Sequence, residues 1–282
     1  MTCSKTNEEN LSETIRKKYN RLRQIIIKAG DAAIGFSGGV DSTFLLKVCS
    51  EILGDKALAI TIKSEVITAN ELEEACDTAT EMGVRHIVLH ENVLALPGFV
   101  KNHPDRCYVC KKTIFSQIKK QAALYGIRHC FDGGNVDDAA DFRPGRIAIG
   151  ELGVRSPLEE AGFVKSDIRA VSKSLNLPTW NKPALACLAS RFPYYTEITE
   201  DALQQVENAE AFLRELGMRI FRVRHHESLA RIETGEQERG LLLEIDRCAK
   251  VVKYFKFLGY KYVSLDLEGY RTGSMNEELS SL

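Results

Sequence analysis

Apolar and polar positions change period several times along the chain, and each change marks an element. Residues 7–28 set charged residues between Leu11, Ile15, Leu22, Ile25 and Ile26, the spacing of an amphipathic helix. Residues 31–36 are a short apolar run, as in a buried strand, and residues 43–53 return to helical spacing through Phe44, Leu45, Val48 and Ile52. A second strand is expected over 56–62, a helix over 69–82 ended by Gly83, and a third strand over 85–89. Residues 90–106 are irregular, with Pro97, Gly98 and Pro104; a helix follows over 107–125 and a fourth strand over 127–131. Residues 134–164 lack periodicity and read as a loop, and loops that long inside compact domains usually carry function. A helix over 165–175 and a proline-punctuated loop over 178–191 complete this part. Strands and helices alternating at this pace predict βαβ units and a parallel sheet.

The rest has another rhythm. A helix is expected over 199–216 with Thr199 as its N-cap, a period-two strand over 219–224, a strand over 229–232, mostly helix over 239–259, and a strand over 260–267. The fold class is therefore α/β: a Rossmann-like parallel sheet over residues 1–193, then a small α+β domain over 194–282 for substrate binding or oligomerisation.

Composition narrows the setting. Of 282 residues, 44% are hydrophobic and 27% charged, an ordinary balance for a globular protein. No apolar run approaches the ~18 residues of a membrane span, and no apolar segment stands behind the first residues as in a secretory signal. Eight cysteines without an export signal predict a cytoplasmic protein, where thiols serve metals or catalysis more often than disulfides. A net charge of −1 lacks the basic excess of a nucleic-acid binder, so no nucleic-acid partner is expected.

Between the first strand and its helix stand Ser37-Gly38-Gly39-Val40-Asp41-Ser42. The two glycines allow close backbone approach, and the helix N-terminus behind them faces an anion. The run matches neither GxxxxGK[ST] nor GxGxxG; read blandly, it is a tight turn without a ligand. Cys107 and Cys110 form a CxxC at a helix start beside Arg106, Lys111 and Lys112, where thiol pKa values fall. Cys187 lies in the proline-rich loop beside Arg191. On spacing alone the pair suits a redox couple, half a zinc site, two packed thiols, or, with Cys187, an iron–sulfur cluster with one open iron. Cys3, Cys49, Cys76, Cys130 and Cys248 read as small buried hydrophobes. Arg222, Arg224 and Arg271 have the guanidinium fork that matches phosphate, although alternating arginines equally suit the solvent face of a strand. Asp137, Asp138 and Asp141 are further candidates for Mg²⁺ or substrate.

Positions 37–42 resemble the SGGxDS loop of the PP-loop ATP pyrophosphatases, whose fold is of the adenine nucleotide alpha hydrolase type. That resemblance implies cleavage of ATP to AMP and pyrophosphate. Asp41 would hold Mg²⁺, Ser37 and Ser42 would bond phosphate oxygens, and Gly38, Gly39 and Val40 would complete the cradle. Five further stretches look like the LarE sulfur transferases: CYVCK at 107–111, DGGNVDD at 132–138 with RPG at 143–145, RSPL at 155–158, ACLASR at 186–191, and LDLEGYRTGSMN at 265–276. Gly134 departs from that pattern, standing where a threonine is expected. The LarE resemblance spans residues 15–277. It implies an enzyme of nickel-pincer nucleotide synthesis, in the maturation of lactate racemase, which adenylates a carboxylate of a pyridinium dicarboxylate mononucleotide and converts it to a thiocarboxylate. It also implies a 4Fe-4S cluster on Cys107, Cys110 and Cys187, with Cys187 in the catalytic role, and a homo-oligomer. A PP-loop tRNA thiolase and a non-catalytic ATP-binding protein are the alternatives.

Overall fold

Buried strands need apolar residues on both faces, and the first half of the chain supplies them. In the computed structural model, which describes residues 11–140, 144–183, 186–271, 273, 274 and 277, they form the centre of a parallel sheet. In chain order the elements are α1 (Glu13–Ala29), β1 (Ala32–Gly35), α2 (Val40–Leu53), β2 (Ala57–Lys63), α3 (Ala69–Glu81), β3 (Arg85–His90), α4 (Pro97–Val100), α5 (Arg106–Leu124), β4 (Cys130–Phe131), α6 (Gly145–Glu151), α7 (Pro157–Glu160), α8 (Lys165–Ser174), α9 (Glu200–Glu215), β5 (Phe221–His226), β6 (Leu229–Thr234), α10 (Glu236–Leu242), α11 (Ile245–Phe257) and β7 (Tyr262–Leu265). Two units result. The first comprises Met1–Ser64, Ala69–Glu91 and Cys107–Leu185; the second comprises Glu65–Thr68, Asn92–Arg106 and Ala186–Leu282.

In the first unit the strand order is β3-β2-β1-β4, all parallel. Period two sends alternate residues of β2 to opposite faces. Ala57 and Ala59 join Leu22, Ile26, Phe44 and Phe131 in one core, while Leu58, Ile60 and Ile62 join Phe115 and Ile118 in the other. Helices therefore cover both faces, as in doubly wound folds. The chain runs outward from β1 to β3 and returns to the other side of β1 for β4. The crevice beyond the carboxyl ends of β1 and β4 is thus the topological switch point, where such sheets bind ligands.

Two expectations are corrected here. The fourth strand has two residues, Cys130 and Phe131. The amides of Arg128 and His129, expected in the ladder, donate instead to Asp31 Oδ1. The stretch 134–164 is not all loop. It holds α6 and α7, of seven and four residues, too short to display a helical period. Residues 7–10 of the expected first helix lie outside the described residues; α1 begins behind Ser12, whose hydroxyl accepts the Ile15 amide.

In the second unit β5 and β6 are antiparallel and β7 is parallel to β6. Leu213, Phe221, Val223, Ile232, Phe255 and Tyr260 form its core. The helix expected over 239–259 is broken into α10 and α11. Leu242 and Val251 are both buried in that core; nine residues apart at about 100° per residue, they would face opposite ways on one straight helix.

Candidate functional site

The SGG turn follows β1 directly. Gly38 has φ +68°, and a Cβ there would meet Ala75 Cβ at 3.0 Å, so glycine is required by both backbone and neighbour. Gly39 is the N-cap of α2 and offers no side chain, which leaves the first amides of that helix open to a ligand. The serines close on each other: Ser37 Oγ and Ser42 Oγ lie 3.1 Å apart, Ser42 Oγ donates to Gly39 O at 3.2 Å, and the Gly39 amide donates to Ser37 Oγ at 3.4 Å. Upstream, Thr61 Oγ1 donates to Phe36 O at 2.8 Å and His86 Nε2 lies 2.8 Å from that hydroxyl, so the strand end is tied before the loop begins.

The loop after β4 lies against this turn. A Cβ on Gly133 would approach Ser42 N at 3.2 Å and Asp41 Cβ at 3.4 Å. Asp132 Oδ1 accepts from Ser156 Oγ at 2.5 Å and from the Gly134 amide at 3.2 Å. A Cβ on Gly134 would stand 3.2 Å from both Asp132 Oδ1 and Ser156 Oγ. A side chain at 134 would therefore press on that pair. A cleft of about 180 Å³ opens there, lined by Lys111, Asp132, Gly134, Arg146, Ser156 and Glu159 among others.

Asp41 sits on the first turn of α2. Its Oδ2 accepts from Lys165 Nζ, while Oδ1 is sealed from solvent with no hydrogen-bond partner. Burial pushes the carboxyl upward, Lys165 draws it back, and Asp138 adds to the rise. An orphaned carboxylate oxygen beside a phosphate-type turn fits a hard divalent cation such as Mg²⁺. Asp137 Oδ2 accepts the Lys165 amide at 2.7 Å, and Asp138 Oδ2 accepts the Asn135 amide at 3.0 Å; Asp141 lies outside the described residues.

Three cations from α8 and the following loop converge on the turn, and periodicity did not single them out. Lys165 contacts Asp41. One turn on, Arg169 donates to the carbonyls of Trp180 and Lys182, each at 2.7 Å. That fixes the loop from which Lys182 Nζ reaches Gly38 O at 3.0 Å and Glu74 at 2.6 Å. A signal was present in the sequence. A lysine opening a helix opposes the helix dipole, so its charge has to be spent on something else.

Cys107 is exposed and Cys110 half-buried on the first turns of α5; three residues apart, they share one side of the helix. Cys187, in the second unit, is exposed and precedes the short turn Leu188–Arg191. None of the three is in a disulfide, and three cysteines are a donor set suited to an iron–sulfur cluster. Among the described residues no three His, Cys, Asp or Glu side chains are gathered as a metal set. Cys49 and Cys130 are buried, and burial pushes both thiols up, Cys130 to about 11. Cys76 is half-buried, and Cys248, expected inside, is exposed on α11; Cys3 lies outside the described residues.

The loop that carries Cys187 is anchored through Arg191. This guanidinium, 4% exposed, forks onto Glu210 at 2.9 and 2.8 Å and donates to the carbonyls of Ala186 and Cys187. Burial alone would raise the Glu210 carboxyl, but Arg191 and then Arg222 hold it below the ordinary range. The β5 arginines are not a solvent face. Arg224 is buried against Glu233 at 2.6 Å and donates to Ser190 O and Ser274 Oγ; Arg222 stacks 5.0 Å from the Tyr270 ring centre. Arg271 is exposed and paired with Glu268 and Glu277.

Residues 14–106 match the family described as NAD synthase. An uncharacterized protein of Synechocystis is 41% identical over 94% of this chain and 99% of its own length. The pyridinium-3,5-bisthiocarboxylic acid mononucleotide synthase of Lactiplantibacillus plantarum is 40% identical over 88% of this chain and 89% of its own. An uncharacterized protein of Methanocaldococcus jannaschii is 35% identical over 93% and 96%. No helix among the described residues is long and apolar enough to cross a membrane.

Proposed function

The chain belongs to the LarE family of PP-loop sulfur transferases, and from that premise we propose that it is the ATP-dependent enzyme that turns the carboxylates of a pyridinium dicarboxylate mononucleotide into thiocarboxylates. The observation that carries this reading is the 40% identity to the synthase over 88% of the chain, together with the turn at 37–42 set at the switch point of the sheet.

The chemistry follows from the residues. A carboxylate cannot expel oxide at neutral pH. Attack of its oxygen on the α-phosphorus of ATP breaks the bond to pyrophosphate and leaves an acyl adenylate. Sulfide then attacks the carbonyl carbon, AMP departs with the bonding pair, and the thiocarboxylate remains. The amides of Gly39, Val40 and Asp41 and the hydroxyls of Ser37 and Ser42 receive the departing pyrophosphate. Asp41 would hold Mg²⁺ through the oxygen that has no partner, and Lys165, released from Asp41 by the cation, is in reach of the polyphosphate. Arg222, Arg224 and Arg271 are proposed to bind the substrate phosphate. Cys107, Cys110 and Cys187 would hold a 4Fe-4S cluster, which when bound would supply sulfide at its open iron. Cys187, exposed on its anchored loop, is proposed to take the catalytic role in sulfur transfer. We place the protein in the cytoplasm, as a homo-oligomer. The test is pyrophosphate release from ATP and Mg²⁺. Release that depends on the pyridinium dicarboxylate mononucleotide supports the reading, and release indifferent to it refutes it.

A further inference from the structure

Arg106 is the most anomalous charged side chain of the second unit. It is 5% exposed. Its guanidinium lies over the Tyr194 ring, 4.6 Å from the centroid, but Nε and Nη1 are sealed from solvent with no hydrogen-bond partner. Three of its five N–H bonds are thus unused, and no carboxylate pairs with it among the described residues. Stacking on an aromatic ring offsets little of the cost of burying a cation, because the ring accepts no N–H bond in the plane of the guanidinium. The other buried arginines of this unit behave differently: Arg191 has Glu210 and Arg224 has Glu233.

The surroundings are built with strain. Residues 99–106 are clipped to residues 192–198 by Tyr195 N to Asn102 O at 3.0 Å, Ile198 N to Val100 O at 2.9 Å, and Asn102 Nδ2 to Pro193 O at 2.7 Å. Asn102 and Tyr195 hold positive φ, 54° and 66°, uncommon for residues other than glycine and rarer still for a bulky ring. Such strain persists where the neighbourhood over-determines it, often at ligand clamps. Asn102, fully buried, also leaves Oδ1 without a donor. Phe99 and Phe192, whose carbonyls accept from Asn102, are buried in the same corner. The corner therefore holds an unpaired guanidinium and an unpaired amide oxygen, both buried.

We propose that Arg106 on its Tyr194 platform is the seat of an aromatic carboxylate; resting on the function proposed above, that carboxylate belongs to the pyridinium dicarboxylate. A guanidinium fork receives a planar carboxylate in two parallel bonds, and the Tyr194 ring already stacks on its face. The product named for the Lactiplantibacillus relative has two thiocarboxylates on one ring. Its precursor therefore carries two carboxylates on one aromatic ring.

The test uses the full chain and two probes, pyridine-3,5-dicarboxylate and inorganic phosphate, with calorimetry and the thermal midpoint as readouts. Wild type should bind the dicarboxylate and be stabilised by it. Arg106→Met should bind it more weakly by about tenfold or more, Arg106→Lys should fall between, and any effect of phosphate, which the turn at 37–42 can take, should be the same in wild type and Arg106→Met. If Arg106→Met does not fold, Tyr194→Leu, which keeps the guanidinium and removes its platform, should show the same loss. Equal dicarboxylate binding by wild type and variants overturns the inference. So does a stabilisation by phosphate alone that vanishes in Arg106→Met, which makes the seat a phosphate site. Binding of neither probe overturns it as well, leaving Arg106 and Asn102 to a buried water. The pyrophosphate assay decides the proposed function independently of all three.

Discussion

Lys165 and Asp41, 124 residues apart in sequence, form an ion pair at the start of α2, and the second oxygen of Asp41 has no partner. The pair keeps a buried carboxylate compensated until a divalent cation takes it over, and frees a lysine at that moment for the triphosphate. Asp41→Ala should lower pyrophosphate release by about 10²–10³-fold with the fold intact. Lys165→Met should also lower kcat, and should raise the apparent Kd for MgATP while leaving Asp41 able to bind the metal. Pyrophosphate release at wild-type rate by folded Asp41→Ala would remove Asp41 from the mechanism.

Asp31 ties β1 to β4 at the far end of the sheet. Burial would lift its carboxyl, but hydrogen bonds from the Arg128 and His129 amides and side chains hold it down to about 2, against an ordinary 3.8. A depressed folded pKa contributes stability that is present above the unfolded value and lost as pH falls through the folded one. Urea denaturation of wild type and Asp31→Asn should therefore differ by about 1–2 kcal/mol at pH 7. The gap should shrink between about pH 4 and 2. A gap that stays constant across that window would show that the hydrogen bonds, not the charge, carry the effect.

Glu210 is the buried partner of Arg191 and accepts the Val223 amide at 3.0 Å as well. Glu210→Ala leaves a buried guanidinium uncompensated and should destabilise the protein by about 3–5 kcal/mol. Because Arg191 also holds the carbonyls of Ala186 and Cys187, Cys187 should become more reactive toward iodoacetamide at temperatures well below unfolding. Unchanged alkylation kinetics would detach the ion pair from the geometry of that loop.

The doubly wound sheet was legible because β1 and β2 are buried on both faces and so are almost wholly apolar, Thr61 being the buried polar exception. The turn at 37–42 was legible because Gly38 has to satisfy a positive φ and a close Ala75 at once, which leaves its mark on composition. Side-chain partners are another matter. Nothing in the spacing says that Arg224 meets Glu233 inside β5 and β6, and alternation alone suggested a solvent face. Nor does it say that Asp31 takes the amides expected in β4. Such pairings join positions distant in sequence, and a period-two or period-3.6 pattern reports only which face a residue occupies. Lys165 was visible in outline, as a cation at the wrong end of a helix; the identity of its partner was not.

For the cysteines, anaerobic reconstitution with iron and sulfide should give wild-type protein close to four irons and a broad visible absorption. Cys107→Ala, Cys110→Ala and Cys187→Ala should each fail to retain the cluster, and lose sulfide-dependent thiolation by a similar large factor. A sacrificial Cys187 predicts otherwise: single-turnover activity in Cys107→Ala and Cys110→Ala, and stoichiometric conversion of Cys187 to dehydroalanine, seen by mass spectrometry as loss of H₂S. That mass loss in reconstituted wild type would overturn the cluster and keep the sulfur transfer.

The central claim is that ATP is spent to replace carboxylate oxygen with sulfur on a pyridinium mononucleotide. The direct measurement is mass spectrometry of that nucleotide after anaerobic incubation with reconstituted protein, MgATP and sulfide, with AMP and pyrophosphate counted in the same sample. The account predicts product heavier by the difference between sulfur and oxygen at each converted carboxylate, with one AMP and one pyrophosphate for each. AMP and pyrophosphate formed with no sulfur in the nucleotide, or sulfur appearing in tRNA instead, would contradict it.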